Sequence, residues 1–362
     1  MLYTSVSSAL FELLFLNIQF NSMKKTSFSL AIFGAIAALS CSAFAQSAPE
    51  AAKVSVYGLI ETSASIVNGG MTEMSNTATP GTAIPGSTSI NGLQSRIGFR
   101  GNEDLGQGYR AKFEFEQRFT PNTGAAAVTG LHFAGRSVLG ADTPYGEILL
   151  GRNYSPAYYT ATEADPFAFD NSVGGLGATH TFAGYAANAY GSSIRMDNSV
   201  TFTSKEMHGF TSSVAIASNE NLGAAKNTEF GFNSGYKRDA LKLGYAYDHR
   251  GDGSSLSIGV VSYDLGFVKP IASYSRAVSS TASMGLVTTD YSFGAIAPLG
   301  NGVLKAVVAN ISPADGVNTT KFGLGYEYKF SARTSLFTDV GTAKKDNFSS
   351  TTGFDIGMRH RF

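Results

Sequence analysis

The chain has 362 residues, with 27 basic and 27 acidic side chains, 41 glycines, 26 phenylalanines, 17 tyrosines, one cysteine and no tryptophan. The balanced charge excludes a general attraction to nucleic acid. A mean hydropathy near zero, with no apolar run of about 20 residues beyond the N-terminus, excludes a bundle of membrane helices.

Abundant glycine and aromatics at that hydropathy suit an all-β protein whose strands carry one apolar and one polar face. The N-terminus reads as a targeting signal that starts at Met23 rather than Met1. Lys24 and Lys25 are followed by the apolar run Phe28 to Leu39 and then by Ala43-Phe44-Ala45, the small-aromatic-small form that signal peptidase accepts. The expectation is an upstream extension over residues 1–22 from a misplaced start codon, a signal peptide over 23–45, and a mature chain beginning near Gln46. The apolar run is too short for a membrane anchor. Lipoprotein acylation at Cys41 would call for leucine where Ala38 stands. Removal of residues 1–45 takes away Lys24, Lys25, Glu12 and the only cysteine, leaving 25 basic and 26 acidic side chains and no possible disulfide.

Lys53 to Ile60 opens the first strand, and Asn68 to Asn91, rich in Gly, Thr, Ser and Pro, reads as a long loop. In Leu93 to Gly101, Ile97 and Phe99 alternate with Arg96, Gly98 and Arg100. Residues 102 to 108 form a turn. From Tyr109 to Phe119, Tyr109, Ala111, Phe113, Phe115 and Phe119 share one face, and Arg110, Lys112, Glu114, Glu116 and Arg118 the other. Leu131 to Gly140 and Glu147 to Arg152 follow. Tyr154 to Gly191 has no strand alternation, and long unpatterned segments in compact domains are usually functional loops. Eleven further strands follow: Ser193 to Ser204, Phe210 to Ser218, Thr228 to Tyr236, Leu241 to Arg250, Ser255 to Asp264, Phe267 to Ala277, Leu286 to Ala297, Val303 to Ile311, Lys321 to Phe330, Thr334 to Thr342 and Thr352 to Phe362.

The total is sixteen strands, an even number as a closed bacterial single-chain barrel requires. A soluble sandwich and an outer-membrane barrel share this alternation, but in the membrane version the aromatics face lipid and the charges face a wet lumen. Strands of about 10 residues, tight turns alternating with longer loops, and a signal peptide favour the membrane barrel. The reading is one domain over 46–362, a closed antiparallel transmembrane β-barrel, with residues 154–191 folded into it.

The stretches SRIGFRGNEDLGQGYRAKFEFEQRF, GRSVLGADTPYGEILLGRNYSP, DPF, SIRMDNSVTF and the ending GMRHRF, in that order, resemble the trimeric general porins of Gram-negative bacteria, especially their β-proteobacterial branch. The resemblance spans Val54 to Phe362. It implies a sixteen-stranded barrel, a homotrimer among outer-membrane lipid and lipopolysaccharide, and an inward-folded third extracellular loop that narrows the pore. It also implies a terminal signal for the barrel assembly machinery, for which Met358, His360 and Phe362 are the candidates.

The candidate constriction combines Arg96, Arg118, Arg136 and Arg195 on the wall with Glu163, Asp165 and Asp170 of the loop. Of the arginines, Arg96, Arg136 and Arg195 match the family's basic cluster. Guanidinium groups stay charged at any relevant pH, and rings of fixed charge select ions. Tyr154, Tyr158 and Tyr159 could line the loop's pore face or pack it against the wall.

The expected function is passive diffusion of ions and small hydrophilic solutes through an outer-membrane channel, with no cofactor, no metal and no nucleic-acid partner. The alternatives are a substrate-specific channel, a barrel enzyme and an adhesin. The five histidines are scattered and fall in no catalytic motif. Aromatic ramps and dense basic tracks, the marks of a substrate-specific pore, are not evident.

Overall fold

The computed structural model describes residues 53–68, 88–91, 95–121, 123–127, 130, 132–169, 173–176, 194–218, 228–280, 285–314 and 316–362. The signal-peptide reading, the upstream extension, Asp170 and the Ala/Gly-rich half of the long loop lie outside the described residues.

Sixteen strands form the barrel. They are β1 (Lys53–Asn68), β2 (Arg96–Gly106), β3 (Tyr109–Arg118), β4 (Ser137–Asp142), β5 (Gly146–Tyr154), β6 (Arg195–Ser204), β7 (Phe210–Ser218), β8 (Thr228–Arg238), β9 (Leu241–His249), β10 (Ser255–Tyr263), β11 (Lys269–Val278), β12 (Val287–Leu299), β13 (Gly302–Pro313), β14 (Thr319–Lys329), β15 (Thr334–Lys345) and β16 (Thr351–Arg361). Each pairs antiparallel with its neighbours in sequence. β1 closes the ring: its residues Leu59 to Asn68 pair with β16, and Lys53 to Leu59 pair with β2 on the other edge. A short strand, Thr88–Asn91, continues that second edge against Ser63 to Ile66. Between the two segments Ser95 Oγ accepts from Glu61 N at 2.9 Å and donates to Glu61 O at 3.0 Å. A side chain thereby takes over the pairing where the strand is interrupted.

The pleat sorts the side chains inside out. On β16, Phe354, Ile356 and Met358 are exposed, whereas Thr351, Asp355 and Arg359 are buried. On β14, Phe322, Leu324 and Tyr328 are exposed opposite buried Lys321 and Glu327. A water-soluble sheet would bury the first set and expose the second. The reversal fits lipid outside and a polar lumen inside. At the closing seam Arg359 pairs with Glu61 and lies 3.6 Å from Glu327, which also bonds Lys305 at 2.9 Å and Ser335 at 2.8 Å. Ionic contacts thus tie β1, β13, β14, β15 and β16 together on the inner face.

Several boundaries differ from the sequence reading: β2 runs on to Gly106, so the turn expected over 102–108 is confined to the residues around Gln107 and Gly108. β4 begins at Ser137 rather than Leu131, because Gly135 and Arg136 hydrogen-bond individually to Glu116 before regular pairing starts. The long loop also opens with a helix where no helical period was legible: α1, Pro156–Ala164, immediately after β5. Ser155 caps it by accepting from Tyr158 N, and Pro156 stands at the first helical positions, where a missing N–H costs nothing. Nine residues are too few to display a periodic apolar stripe.

α1 packs not on its sequence neighbours but on β8, β9 and β10. Ala157, Ala161, Ala164 and Phe169 meet Ala246, Leu256, Ile258, Val260 and Ile271. These wall residues belong to the face opposite exposed Leu243, Tyr245, Val261 and Tyr263, so the helix occupies the inner side of the wall. Small residues on the helix allow that close seat. Further along, Phe167 and Leu176 pack on Val307 and Ala309. Val173 N donates to Asp355 Oδ2 at 3.0 Å, and Lys321 Nζ donates to Gly175 O. Glycine at 323 and 325 is what admits this segment: a Cβ at 323 would collide with the Gly174 carbonyl, and one at 325 with Asp339 and Phe167.

Gly323→Val should therefore lift residues 173–176 off the wall at an overpacking cost of about 1–3 kcal/mol while leaving the barrel paired. The expected result is a heat-modifiable, folded band on a gel together with a lower and noisier single-channel conductance. A conductance identical to wild type would contradict this anchoring.

Candidate functional site

β2 and β3 pair so that Arg96 stands opposite Arg118, Gly98 opposite Glu116, and Arg100 opposite Glu114. Since side chains alternate with a period of two, Glu114, Glu116 and Arg118 project from the same face of β3. Arg118 Nε donates to Glu116 Oε1 at 2.8 Å, and Arg96 Nε lies 3.3 Å from Glu116 Oε2. Arg136, just before β4, donates to Glu114 Oε2 at 2.8 Å and to Asn153 Oδ1 at 3.1 Å. Tyr57 of β1 donates to Glu114 Oε1 at 2.6 Å. Two wall carboxylates thus hold three of the four predicted arginines.

Arg195 opens β6 opposite Tyr154, the last residue of β5. Its Nη2 donates to the Tyr154 hydroxyl at 2.9 Å, and its guanidinium carbon lies 4.5 Å from the centre of that ring. Arg118 donates to the same hydroxyl. One phenol oxygen joins the two guanidinium groups and brings β3, β5 and β6 to a common point. Tyr154 itself is buried, stacked on Tyr158 with ring centres 4.1 Å apart. It belongs to the wall side of the loop and not to its open face. Among the described residues no carboxylate lies within ion-pair distance of Arg195, and its Nε has no hydrogen-bond partner.

All four arginines on the candidate list therefore gather in one patch. Among the described residues Glu114 and Glu116 stand against it, two carboxylates to four guanidinium groups. The side chains of Arg96 and Arg136 are 28% and 20% exposed, whereas that of Arg118 is 10% exposed and Arg195 is buried.

The two loop acids among the described residues, Glu163 and Asp165, have other partners. Glu163, at the end of α1, pairs with Lys242 of β9, a lysine the sequence reading left unassigned. Asp165 folds the chain after the helix: Oδ1 accepts from Phe167 N at 3.0 Å, and Oδ2 accepts from Phe169 N at 3.3 Å and Leu176 N at 3.1 Å. Its carboxylate is spent on backbone N–H groups, as expected of an aspartate that shapes a turn. Among the described residues the acids that meet the arginines are Glu114 and Glu116, four and two residues before Arg118 on one strand face. That spacing was legible, though it did not say which partner each would take. Met358 and Phe362 are exposed on the outer face, Phe362 exchanges backbone hydrogen bonds with Gly58, and His360 Nδ1 shares a hydrogen bond of 2.9 Å with Thr334 Oγ1.

A family model described as Gram-negative porin matches residues 31–347. The outer membrane porin protein 32 of Delftia acidovorans is 27% identical, over 94% of this chain and all of that protein. The major outer membrane protein P.IB of a Neisseria meningitidis serogroup A strain is also 27% identical, over 86% and 94%. Among solved structures, an anion-selective porin from Comamonas acidovorans superposes with a TM-score of 0.71 at 23% identity, over 86% of this chain and all of its own. A loop-deletion mutant of OmpT from Vibrio cholerae reaches 0.66 at 17%, over the same shares. The closed sixteen-stranded barrel, the inside-out sorting of its side chains and the family match across most of its length lead to one conclusion: the chain belongs to the Gram-negative porin family and forms an outer-membrane channel for general diffusion.

Proposed function

We propose that the channel passes ions and small hydrophilic solutes passively, without turnover, and carries a modest anion preference set by Arg96, Arg118, Arg136 and Arg195. The observation that supports this reading is the excess of guanidinium over carboxylate charge in one patch of the wall. The Comamonas acidovorans neighbour, described as anion-selective, points the same way. On the same reading residues 23–45 are cleaved during export, the protein assembles as a homotrimer in lipid and lipopolysaccharide, and the terminal Phe362 with Met358 and His360 addresses the assembly machinery.

The expected size of the effect follows from Coulomb's law. An ion about 8 Å from a unit charge in water gains or loses about 0.5 kcal/mol, roughly a twofold change in occupancy per charge. Two excess charges therefore give a bias of a few-fold. Screening matters at this range, since the Debye length is about 10 Å at 0.1 M salt and about 3 Å at 1 M. The field of Glu163 is largely cancelled by Lys242, which leaves the arginine patch as the dominant local charge.

Reversal potentials of purified protein in planar bilayers under a salt gradient test the reading. Replacing Arg96, Arg136 and Arg195 by glutamine should shift the potential toward cations, each change reducing the anion-to-cation ratio about fourfold at low salt, because the anion loses about what the cation gains. Glu116→Gln should shift it the opposite way, because it frees Arg96 and Arg118 from their shared carboxylate. In wild type the preference should shrink as ionic strength rises toward 1 M. Unchanged selectivity in the triple variant would remove the patch from the filter, and absence of any conductance in wild-type protein would overturn the channel reading itself.

A further inference from the structure

Three of the four patch arginines are held by two successive residues at the root of the loop. Asn153 Oδ1 accepts from Arg136 Nε at 3.1 Å. The Tyr154 hydroxyl accepts from Arg118 and, at 2.9 Å, from Arg195 Nη2. Neither holder is a carboxylate.

A regular strand could not use both positions. On β5 Leu149 is buried and Leu150 exposed, so the period of two assigns Asn153 to the inner face and Tyr154 to the outer. Both are buried instead. The pairing of β5 with β6 shifts register between Gly151 and Asn153, with Asp197 and Asn198 set against Arg152, and Asn198 takes a φ of 51°. An extra residue of this kind bends its strand and re-aims side chains. Here it lets consecutive positions serve one patch.

Each holder is itself fixed from more than one side. Tyr154 stacks on Tyr158 with ring centres 4.1 Å apart and carries the Arg195 guanidinium 4.5 Å from its own ring centre. Asn153, 2% exposed, also accepts from Tyr154 N at 2.9 Å and donates to Thr201 Oγ1 at 3.4 Å. A carboxylate in either place would hold guanidinium groups at least as firmly. It would also cancel their charge.

We infer that Asn153 and Tyr154 are positioning residues that determine ion specificity, holding Arg118, Arg136 and Arg195 in one patch without adding a carboxylate to it. The inference rests on the anion-preferring reading of that patch and adds the groups that keep its charge both placed and uncancelled. Tyr154 carries the larger share for Arg195, which has no carboxylate within ion-pair distance among the described residues. Without the phenol oxygen, a buried guanidinium would keep an unmet donor, a costly state. Its long side chain would turn toward lumen water.

Reversal potentials of the complete protein in planar bilayers at low salt test this. Tyr154→Phe keeps the ring and removes one oxygen. It should raise the anion-to-cation ratio about two- to threefold, the Coulomb scale for a unit charge moving from about 8 Å to about 5 Å from the path of the ion. In an Arg118→Gln/Arg195→Gln background the same substitution should leave the ratio unchanged, because its effect passes through those two groups. Asn153→Asp keeps an acceptor for Arg136, and the Thr201 hydroxyl can donate to the new oxygen. There the ratio should fall about fourfold. A Tyr154→Phe variant with wild-type selectivity, a Tyr154→Phe shift that persists without Arg118 and Arg195, or an Asn153→Asp variant with wild-type selectivity would overturn the inference while the patch reading stands. An Arg118→Gln/Arg195→Gln channel as anion-preferring as wild type would instead overturn the patch reading, and the inference with it.

Discussion

Hydrocarbon offers no partner to a peptide N–H or C=O, and each unpaired group there costs several kcal/mol. Everything else in this molecule follows from satisfying that demand with strands. Strands can do so only in a ring without edges, so β1 must find β16. It does, with ten consecutive residue pairs from Leu59–Arg361 to Asn68–Thr352. Where the neighbouring edge of β1 is interrupted, Ser95 supplies the missing hydrogen bonds. Closure then imposes two solvents on one sheet. The period of two assigns Phe354, Ile356 and Met358 to lipid and Asp355 and Arg359 to the lumen.

The lumen is not uniform. Over β9 and β10 its face turns apolar, with Ala246, Leu256, Ile258 and Val260 making a dry seat for the alanines of α1. Farther round, Asp355 and Lys321 hold the loop backbone by hydrogen bonds, and glycine at 323 and 325 gives it room. The described part of the loop is thus fixed by burial at Pro156–Ala164 and by polar contacts at residues 173–176. The arginine patch lies on the remaining wall, joined to the root of the loop by the Tyr154 hydroxyl. Charge that would be costly in a dry core is sustained here because water reaches Arg96 and Arg136 and because Glu114 and Glu116 meet it.

Much of the fold was legible in one dimension, because alternation is a local property. Tyr109 to Arg118 or Lys321 to Lys329 declare two faces whatever they pair with, and all sixteen strands could be counted from such runs. The start of β4 was misjudged because single hydrogen bonds, from Gly135 N to Glu116 O and from Glu116 N to Arg136 O, carry no pattern. α1 was missed because nine residues leave no period to detect. At the candidate site the four arginines do lie together, but the partners of Glu163 and Asp165 were not legible. Glu163 meets Lys242, and Asp165 bonds three backbone N–H groups, through contacts set by the path of the loop across the barrel.

What the sequence determined by itself is the inside-out barrel: the number of strands, their two faces, the segment that would not be a strand, and the arginines that would share the lumen. The tertiary structure alone decided which charges neutralise which, and where on the wall the loop helix would sit. The physical reason is range. Pleat and turn chemistry act over a few residues, whereas Arg118 meets Tyr154 and Glu163 meets Lys242 across 36 and 79 positions of chain. Only closure of the ring and the inward course of the loop bring such residues together.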